Sequence, residues 1–583
     1  MAPSARSVLS AACLAALGVL VAWSPSAPEA DAAPTSTAYP PAPQEATGYP
    51  VSNETVVDRC SRCHVVDDEG RMSRISWLRK TPEGWQTSVR RMVALHGVRL
   101  SMEDAREIVR YLSNDQGLAP DELRPGLFEV ERRLIDYDYE GDSEVEFTCI
   151  QCHSMGRVIT QRRTKEEWAL LLATHRALYP LVDFQAFRRS GPPSSEPGPD
   201  GNPPDPRHPM DKAVDHLARA FPLETPEWSA WAATKRSPRL VGRWALTGHE
   251  PGKGPVYGWV DITADPSDAD AFTTGTTLVY AESGTRVVRT GEALVYTAYQ
   301  WRGRSNRDTD TELREVMFVE RDLREMSGRW FSGAYDEHGI DVTLRRVGAG
   351  AVVTGVFPPA VQRGSEAQVR VFGTGLSAPG ASSAEDAAAS LDFGPGVRVA
   401  TVETGSDGSL VARVSVAEDA PVGARDLYAF GTTLAEALVV HDGVDRLTVA
   451  PETGMARVGG GNFPKGYQTF EAIGWNDGPD DEPETDDDLE LGRVAADWSL
   501  EEYAATFGDD DVAYVGSMGQ DGTFMPAIDG PNPEREGSRN NVGDVWVVAT
   551  HARAEGGELR ARAHLLVTVP LFLRFDPWQE VAR

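Results

Sequence analysis

Two hydrophobic patterns divide the chain near residue 235. Before that point, helical patterns dominate, and a stretch at 191–207, GPPSSEPGPDGNPPDPR, predicts a surface loop. After residue 237, apolar and polar positions alternate, as in TTLVYAESGTRVVRTGEALVYTAYQWRG, which predicts short strands joined by glycine turns. The patterns therefore predict a multidomain chain, in which an N-terminal all-α domain at 51–236 is followed by three antiparallel β domains.

The β region divides into three predicted domains. The tripeptide GRW occurs at 242–244 and again at 328–330, which suggests the first and last strands of one antiparallel β-barrel over 237–348. The strand and turn rhythm of VTGVFPPAVQRGSEAQVRVFGTGL is typical of an immunoglobulin-like sandwich, predicted at 349–444. A further β domain is predicted at 445–583.

The first fifty residues predict export. Arg6 precedes an apolar run from Val8 to Trp23, and small residues follow it, which is typical of a secretory signal peptide over 1–32. A membrane anchor is the alternative, but the run is short for a span, and no later segment is long and apolar enough. Residues 33–50 are rich in proline and predict a linker.

The charge of the chain bears on its partners. The net charge is -31 and the isoelectric point is about 4.8, so the chain repels phosphate backbones and anionic lipid. Nucleic acid is therefore not expected as a partner, and a basic protein surface is a more natural one. The acidic stretch at 476–492 is interpreted as a solvated loop. A calcium loop is the alternative, although the oxygen spacing matches no specific pattern.

The cysteines predict two covalently bound haem c groups. Of five cysteines, Cys13 lies in the predicted signal peptide, and the others form two C-x-x-C-H clusters. In this pattern two thiols attach to the haem and the adjacent histidine binds its iron. The clusters are Cys60-x-x-Cys63-His64 and Cys149-x-x-Cys152-His153.

Three other interpretations of the cysteine clusters are less favourable. A four-cysteine zinc site is disfavoured because a histidine follows each pair directly. Disulfides between cysteines three positions apart would be strained. A thioredoxin-like redox pair would need a βαβ pattern, which is missing around both clusters.

An internal repeat extends beyond the clusters. RISWLRKTPEGWQTSVRRM begins at Arg74, and RVITQRRTKEEWALLLATH begins at Arg157, which aligns Trp85 with Trp168. Both segments read as helix starts, because a threonine suits the N-cap and acidic residues follow in the first turn. The sequence therefore predicts two equivalent helices, each next to one haem.

The repeat also predicts the distal iron ligands. Met92 and His175 lie seven residues after the two tryptophans, so each shares a helix face with its tryptophan. Methionine and histidine are usual ligands of haem c, so we predict His64/Met92 for the first iron and His153/His175 for the second. His96 is the alternative to Met92, and both predicted distal ligands could instead be core residues. An iron with two protein ligands has no open position for a substrate, so both haems would transfer electrons. No catalytic residue is predicted on this chain.

The motifs together resemble a known family. RCSRCH, RKTPEGWQ, QGLAP, CIQCHS, GRWALTGHEPGKGP, GGGNFPK and NNVGDVWVVAT are similar to the α subunit of quinohaemoprotein amine dehydrogenase, from about residue 50 to the C-terminal part. The resemblance implies a dihaem cytochrome c domain, three β domains, and one bis-histidine and one His/Met haem. It also implies a periplasmic heterotrimer with a β-propeller subunit and a small subunit that carries cysteine tryptophylquinone.

The resemblance implies an activity as well. In such an enzyme, primary amines are oxidatively deaminated, and electrons pass from the quinone through the haems to azurin or a small c-type cytochrome. Cysteine tryptophylquinone requires a cysteine, and the haem clusters use every cysteine of the exported chain. We therefore expect the amine chemistry on another subunit. An independent dihaem peroxidase and a haem-bearing surface binding protein without enzyme activity are the alternatives.

Overall fold

The described residues form a helical domain followed by three β units. The structure is a computed structural model, and it describes residues 47–126, 139–150, 153–179, 182, 207–376, 390–504, 510–554 and 556–570. The predicted signal peptide, residues 33–46 of the linker, residues 191–206 of the predicted loop and Cys152 lie outside the described residues. The predicted fold class, helices followed by a barrel and further β domains, is confirmed.

Short helices build the N-terminal domain. Its described helices are α1 (Glu54–Cys60), α2 (Pro82–His96), α3 (Met102–Asp115), α4 (Pro120–Leu123), α5 (Ser143–Cys149), α6 (Gly156–Ile159), α7 (Lys165–Leu178), α8 (Pro209–Ala220) and α9 (Pro226–Thr234). The predicted caps of α2 and α7 are present, because the hydroxyls of Thr81 and Thr164 accept backbone N–H groups of the first turn. None of the helices in the described ranges has the length and apolar character that crossing a membrane requires.

Two short strands join the two repeats of this domain. Strands β1 (Leu78–Lys80) and β2 (Gln161–Arg163) pair in antiparallel fashion, and Arg79 lies opposite Arg162. These two arginines are equivalent in the repeat, so a local two-fold axis passes between them. This β1–β2 ladder adds strand structure to a domain that was predicted to be all-α.

The two halves of the domain have matching hydrophobic cores. Each core is formed by the helix that precedes the C-x-x-C-H histidine, the predicted ligand helix and one further helix, α3 or α8. The matching core residues are Val56 and Val145, Trp85 and Trp168, Val89 and Leu172, Ile108 and Ala213, and Leu112 and Leu217. The repeat therefore includes α3 and α8, which the alignment of the two sequence segments did not reach.

Residues 242–346 form a closed antiparallel barrel. Its strands are β3 (Gly242–Glu250), β4 (Gly254–Ala264), β5 (Ala271–Tyr280), β6 (Arg286–Tyr296), β7 (Gln300–Ser305), β8 (Leu313–Val319), β9 (Glu325–Ser332) and β10 (His338–Arg346). Each strand pairs with the next, and β10 pairs with β3. The second GRW lies in β9, so its prediction as the last strand is wrong. The seventh strand runs in the direction of the first, so antiparallel closure onto β3 requires an eighth strand.

A two-sheet sandwich follows the barrel. Its strands are β11 (Val352–Phe357), β12 (Ala360–Gln362), β13 (Glu366–Thr374), β14 (Leu391–Asp392), β15 (Val397–Thr404), β16 (Leu410–Val416), β17 (Gly423–Ala429) and β18 (Thr432–His441). The sheet orders are β11-β13-β16-β15 and β12-β18-β17-β14, and one core fills the space between the sheets. The β12–β18 pair is parallel, whereas antiparallel strands were predicted.

The C-terminal unit has three small sheets. Its elements are β19 (Arg446–Ala450), β20 (Thr453–Arg457), β21 (Gln468–Thr469), β22 (Glu471–Asn476), β23 (Leu489–Arg493), β24 (Asp497–Glu502), α10 (Asp511–Tyr514), β25 (Gly516–Met518), β26 (Thr523–Pro526), β27 (Gly543–Ala552) and β28 (Glu558–Thr568). The β20–β28 pair is parallel. The acidic stretch joins β22 to β23. In the described part of the chain, no group of three or more His, Cys, Asp or Glu side chains is arranged to hold a metal ion.

Polar contacts fix the helical domain on the barrel. Tyr299 donates its hydroxyl to the carbonyl oxygen of Leu118 at 3.0 Å. Arg302 of β7 forms an ion pair with Glu83 in the first turn of α2, with an Nη2–Oε2 distance of 3.2 Å. The barrel therefore holds the start of the helix that carries Met92.

Candidate haem sites

The structure brings the two predicted ligands of the second iron together. His153 follows four positions after Cys149, the last residue of α5, and His175 lies in the last turn of α7. Their ring centroids are 6.3 Å apart, and the rings are inclined by 54°. Two histidines from different segments of the chain thus lie next to one another. Their role as iron ligands stays a prediction.

Backbone carbonyls orient both imidazoles. The Nδ1 atom of His153 lies 2.8 Å from the carbonyl oxygen of Ser154, and that of His175 lies 2.9 Å from the carbonyl oxygen of Leu171. A carbonyl oxygen can only accept, so each Nδ1 carries the proton. The Nε2 atoms keep their lone pairs, which is the usual arrangement of metal-binding histidines.

The spacing of the two rings fits one iron between them. Metal–imidazole bonds of roughly 2 Å place the centroids of two opposed rings roughly 6 Å apart. The observed 6.3 Å agrees with this value. The donor set of two imidazoles next to an attachment motif therefore fits a haem iron.

The electrostatics of this site favour neutral imidazoles. Burial lowers the pKa of His153 to about 4, and the nearby Arg157 and His175 add to this effect. Burial also lowers the pKa of His175, with contributions from Arg91 and Arg163. Metal binding requires the unprotonated ring, so the protein holds both histidines in the form that binds iron.

The environments of Cys60 and Cys149, one thiol of each cluster, disfavour the thiolate form that binds metals. Burial raises the pKa of Cys149 to about 12, and the carboxylate of Glu146 adds to the shift. Burial and the neighbouring Cys63 raise the pKa of Cys60 to about 11. Zinc binds thiolates, so these environments do not favour a zinc site. Cys60, Cys63 and Cys149 are all free thiols, so no Cys60–Cys63 disulfide is formed.

The first site has the same proximal arrangement. His64 follows the turn after α1, and its Nδ1 atom lies 2.6 Å from the carbonyl oxygen of Ser73. On α2, Met92 is half-buried, on the same side as the buried Trp85, whereas His96 is exposed at the end of the helix. Burial therefore favours Met92 over His96 as the second ligand of this iron, which stays a prediction.

The repeated tryptophans anchor the ligand helices. Trp85 and Trp168 are 2% and 1% exposed, and both lie in the protein core. The indole N–H of Trp85 donates to the carbonyl oxygen of Gln116 at 3.0 Å, and that of Trp168 donates to the carbonyl oxygen of Phe221 at 3.2 Å. Gln116 and Phe221 cap α3 and α8. Each indole thus fixes the start of a ligand helix to the end of its neighbour.

The sequence interpretation overlooked a buried basic group between the two sites. Lys80 and Arg163 are 7% and 4% exposed, and they occupy equivalent positions of the repeat. Burial, with the charge of Arg163 and then of Arg91, lowers the pKa of Lys80. The signal that could have found this group is the positive charge that both copies of the repeat carry at this position.

Family models match the chain along most of its length. The model for quinohemoprotein amine dehydrogenase A, alpha subunit, haem binding, matches residues 51–191. The models for alpha subunit domains II, III and IV match 237–347, 350–442 and 447–578. The chain belongs to the quinohemoprotein amine dehydrogenase alpha subunit family. The resemblance in the motifs is thereby confirmed, and the haem-binding match spans both cysteine clusters and all predicted iron ligands.

Other comparisons add little to the family assignment. No curated protein matches the chain. A redesigned β-barrel covers 19% of this chain and 92% of its own, at 11% identity and a TM-score of 0.16. A de novo designed fluorescence-activating β-barrel covers 18% of this chain and 93% of its own, at 17% identity and a TM-score of 0.16. SGBP-B of the Bacteroides ovatus mixed-linkage glucan utilization locus covers 56% of this chain and 60% of its own, at 9% identity and a TM-score of 0.18. At these TM-scores the similarities carry no argument about function.

Proposed function

We propose that this alpha subunit is the electron-transfer subunit of a periplasmic quinohaemoprotein amine dehydrogenase. In this proposal it carries electrons from a quinone on a partner subunit, through two covalently bound haem c groups, to a soluble acceptor. The observation that supports it best is the His153–His175 pair, which has the spacing of two ligands on one iron. The pair lies in the haem-binding domain of an amine dehydrogenase subunit.

The arrangement of the second site supports electron transfer rather than substrate chemistry. Haem, when bound, supplies reversible one-electron oxidation and reduction. Cys149 and Cys152 would attach it, and His153 and His175 would hold its iron from both sides. If both histidines held the iron, this haem would leave no position for peroxide, which favours electron transfer over an independent peroxidase.

The amine chemistry is proposed to occur elsewhere in the complex. The haem clusters use all cysteines of the exported chain, so cysteine tryptophylquinone belongs on a small partner subunit, with a β-propeller subunit as the third component. Azurin or a small c-type cytochrome would then accept the electrons. The high negative charge of this chain suits an acceptor with a basic docking surface.

Reconstitution tests the proposed function. The full chain, matured with covalent haem, is mixed with the quinone-bearing and propeller subunits, and a primary amine is added. We expect the absorption bands to show that the haems become reduced in the complex and stay oxidised in the isolated chain. Amine oxidation by the isolated chain would overturn the division of labour. Haems that stay oxidised in an amine-oxidising complex would overturn the electron-transfer role.

A ligand variant tests the second iron. His175→Ala opens one axial position, so we expect a high-spin absorption band and a spectral shift on adding cyanide. Thr174→Ala is the matched control, because Thr174 is the half-buried neighbour on the same helix and its hydroxyl donates to the carbonyl oxygen of Leu170. A His175→Ala chain that stays low-spin without a replacement ligand would contradict the assignment.

A further inference from the structure

The β1–β2 ladder has two faces with different charge balance. Side chains alternate along a strand, so Arg79 and Arg162 lie on one face, and Lys80 and Arg163 on the other. On the first face, both arginines bind Glu122, with distances of 2.7 Å from Arg79 Nη1 to Oε2 and 3.1 Å from Arg162 Nε to Oε1. That carboxylate is shared, but each guanidinium has it as a direct partner.

Lys80, on the other face, has no carboxylate partner among the described residues. Its ammonium donates to the hydroxyl of Ser88 at 2.6 Å and lies 5.3 Å from the ring centroid of Trp85. In the part of the chain that the structure describes, no carboxylate oxygen lies within ion-pair distance of this ammonium. The close partners of this ammonium, on a lysine with 7% exposure, are thus a hydroxyl and an indole, which are both neutral.

Arg163 has one carboxylate partner, and it shares this partner with a second arginine. Its Nη1 atom lies 3.8 Å from Oε2 of Glu167, and the same Oε2 atom lies 3.0 Å from Nε of Arg74. The Nε of Arg163 donates to the neutral side-chain oxygen of Gln161 at 2.9 Å. Of the two buried basic side chains on this face, Lys80 therefore has no carboxylate partner, and Arg163 shares its single carboxylate with the exposed Arg74.

Such an excess of buried positive charge calls for further anions. Removing charges from water is costly unless a partner of opposite sign is present. Natural proteins therefore pair nearly all buried charges with other side chains or with ligands. This face of the ladder is accordingly an anion-binding site that the carboxylates of the described residues do not fill.

The position of this face identifies the anion. Lys80 contacts the indole of Trp85, on the helix that carries Met92. Arg163 lies 5.5 Å from the ring centroid of Trp168, on the helix that carries His175. The basic face thus lies beside both ligand helices. Haem brings its own carboxylates into such a place, as two propionate side chains on each ring.

We propose that Lys80 and Arg163 bind propionate carboxylates of the two haems. This inference rests on the proposed function, because it requires haem at both clusters. Positive charge next to a haem stabilises its reduced iron relative to the oxidised iron and keeps the propionates ionised. Lys80 and Arg163 are therefore positioning residues that also set the reduction potentials.

Redox titration of the full haem-loaded chain tests the proposal. Lys80→Met and Arg163→Met remove the charge but keep a long apolar side chain, which a buried site tolerates. For each variant we expect the equilibrium constant for reduction of at least one haem to fall by about tenfold. For a one-electron couple this lowers the reduction potential by about 59 mV. The potential should also gain a pH dependence near neutral pH, because a propionate without its cation has a higher pKa.

Two further variants are the controls. Lys165→Met removes an exposed lysine of α7 that pairs with Asp215 at 2.6 Å, and it should leave both potentials unchanged. Lys80→Arg keeps the charge, so unlike Lys80→Met it should have the wild-type reduction potentials and the wild-type pH profile. A purely structural role of Lys80 would not predict this difference.

The outcomes separate this inference from the proposed function. Lys80→Met and Arg163→Met chains with two haems and wild-type potentials and pH profiles would overturn the propionate assignment and leave the electron-transfer role intact. A wild-type chain without two covalent haems would overturn the proposed function itself. If the variants fail to bind haem, the pH dependence of the wild-type reduction potentials still tests the propionate assignment. These potentials should be constant between about pH 6 and about pH 8, and a propionate titration in that range would overturn the assignment.

Discussion

Replacing Glu122 by glutamine should destabilise the helical domain strongly. Glu122 is 6% exposed and is the carboxylate that both Arg79 and Arg162 contact. Burial opposes its ionisation, but the hydrogen bond from Arg79 and the charges of both arginines outweigh burial and hold the pKa of Glu122 at about 2. Glu122→Gln keeps the shape of the side chain and leaves two buried guanidiniums without a carboxylate.

The size of the effect follows from the pKa of this carboxyl and from its partners. A group whose pKa is depressed on folding stabilises the protein above its unfolded pKa, and this contribution is lost as the pH falls through its folded pKa. With an ordinary value of 4.5 and a folded value of about 2, the contribution is roughly 3 kcal/mol near neutral pH. Breaking a buried ion pair by removing one partner costs about 3–5 kcal/mol, which agrees in size.

Urea unfolding at several pH values measures the effect of Glu122→Gln. The haem absorption band reports on the helical domain alone, so the β domains do not interfere. We expect a loss of about 3–5 kcal/mol near neutral pH, and a weaker pH dependence between about pH 4.5 and about pH 2. Glu320→Gln is the matched control, because its partner Arg124 is 53% exposed, and it should cost less than about 1 kcal/mol. A Glu122→Gln loss no larger than that of the control would refute the reasoning.

Two further predictions concern other parts of the chain. Met92→Ala should abolish the near-infrared band of sulfur-to-iron charge transfer in the oxidised chain, and His96→Ala should keep it; the reverse result would make His96 the ligand. Burial lowers the pKa of His249, but the 2.6 Å hydrogen bond and the charge of Glu471 outweigh burial and raise it. This contact stabilises the protein fully below about pH 6.5 and is lost as the pH rises through the raised pKa. His249→Gln should therefore flatten the pH dependence of the thermal midpoint above about pH 6.5. An unchanged profile would count against the role of this contact.

The repeat is readable in part from the sequence. Trp85 and Trp168 stand at a constant offset with similar neighbours, so the two ligand helices align from the sequence alone. The helices that follow them, α3 and α8, do not align in this way, because more residues separate α8 from α7 than separate α3 from α2, and this changes the offset. Their equivalence rests on apolar character and position, as with Ile108 and Ala213, and similar apolar residues leave too weak a signal in a sequence.

Contacts between distant segments explain the remaining differences between the sequence predictions and the structure. His249 has the sequence surroundings of a turn residue, but it lies in β3 and binds Glu471, 222 positions away, for which no local pattern exists. The last barrel strand was misplaced because GRW marks similar strands without stating their direction. Lys80 and Arg163 look like ordinary surface charges, since a sequence does not show that a three-residue ladder places both of them in the interior.

The shared carboxylate of the ladder limits how the domain can be divided. Each half has its own core and its own attachment cluster, so it looks like a separable single-haem module. Glu122, however, lies on α4 between the halves and compensates one buried arginine from each. A fragment that contains only one half would carry either an arginine without its carboxylate or a carboxylate without one arginine. Engineering a minimal cytochrome from this chain therefore requires both halves, or a substitution of Arg162 in a fragment that keeps only the second half.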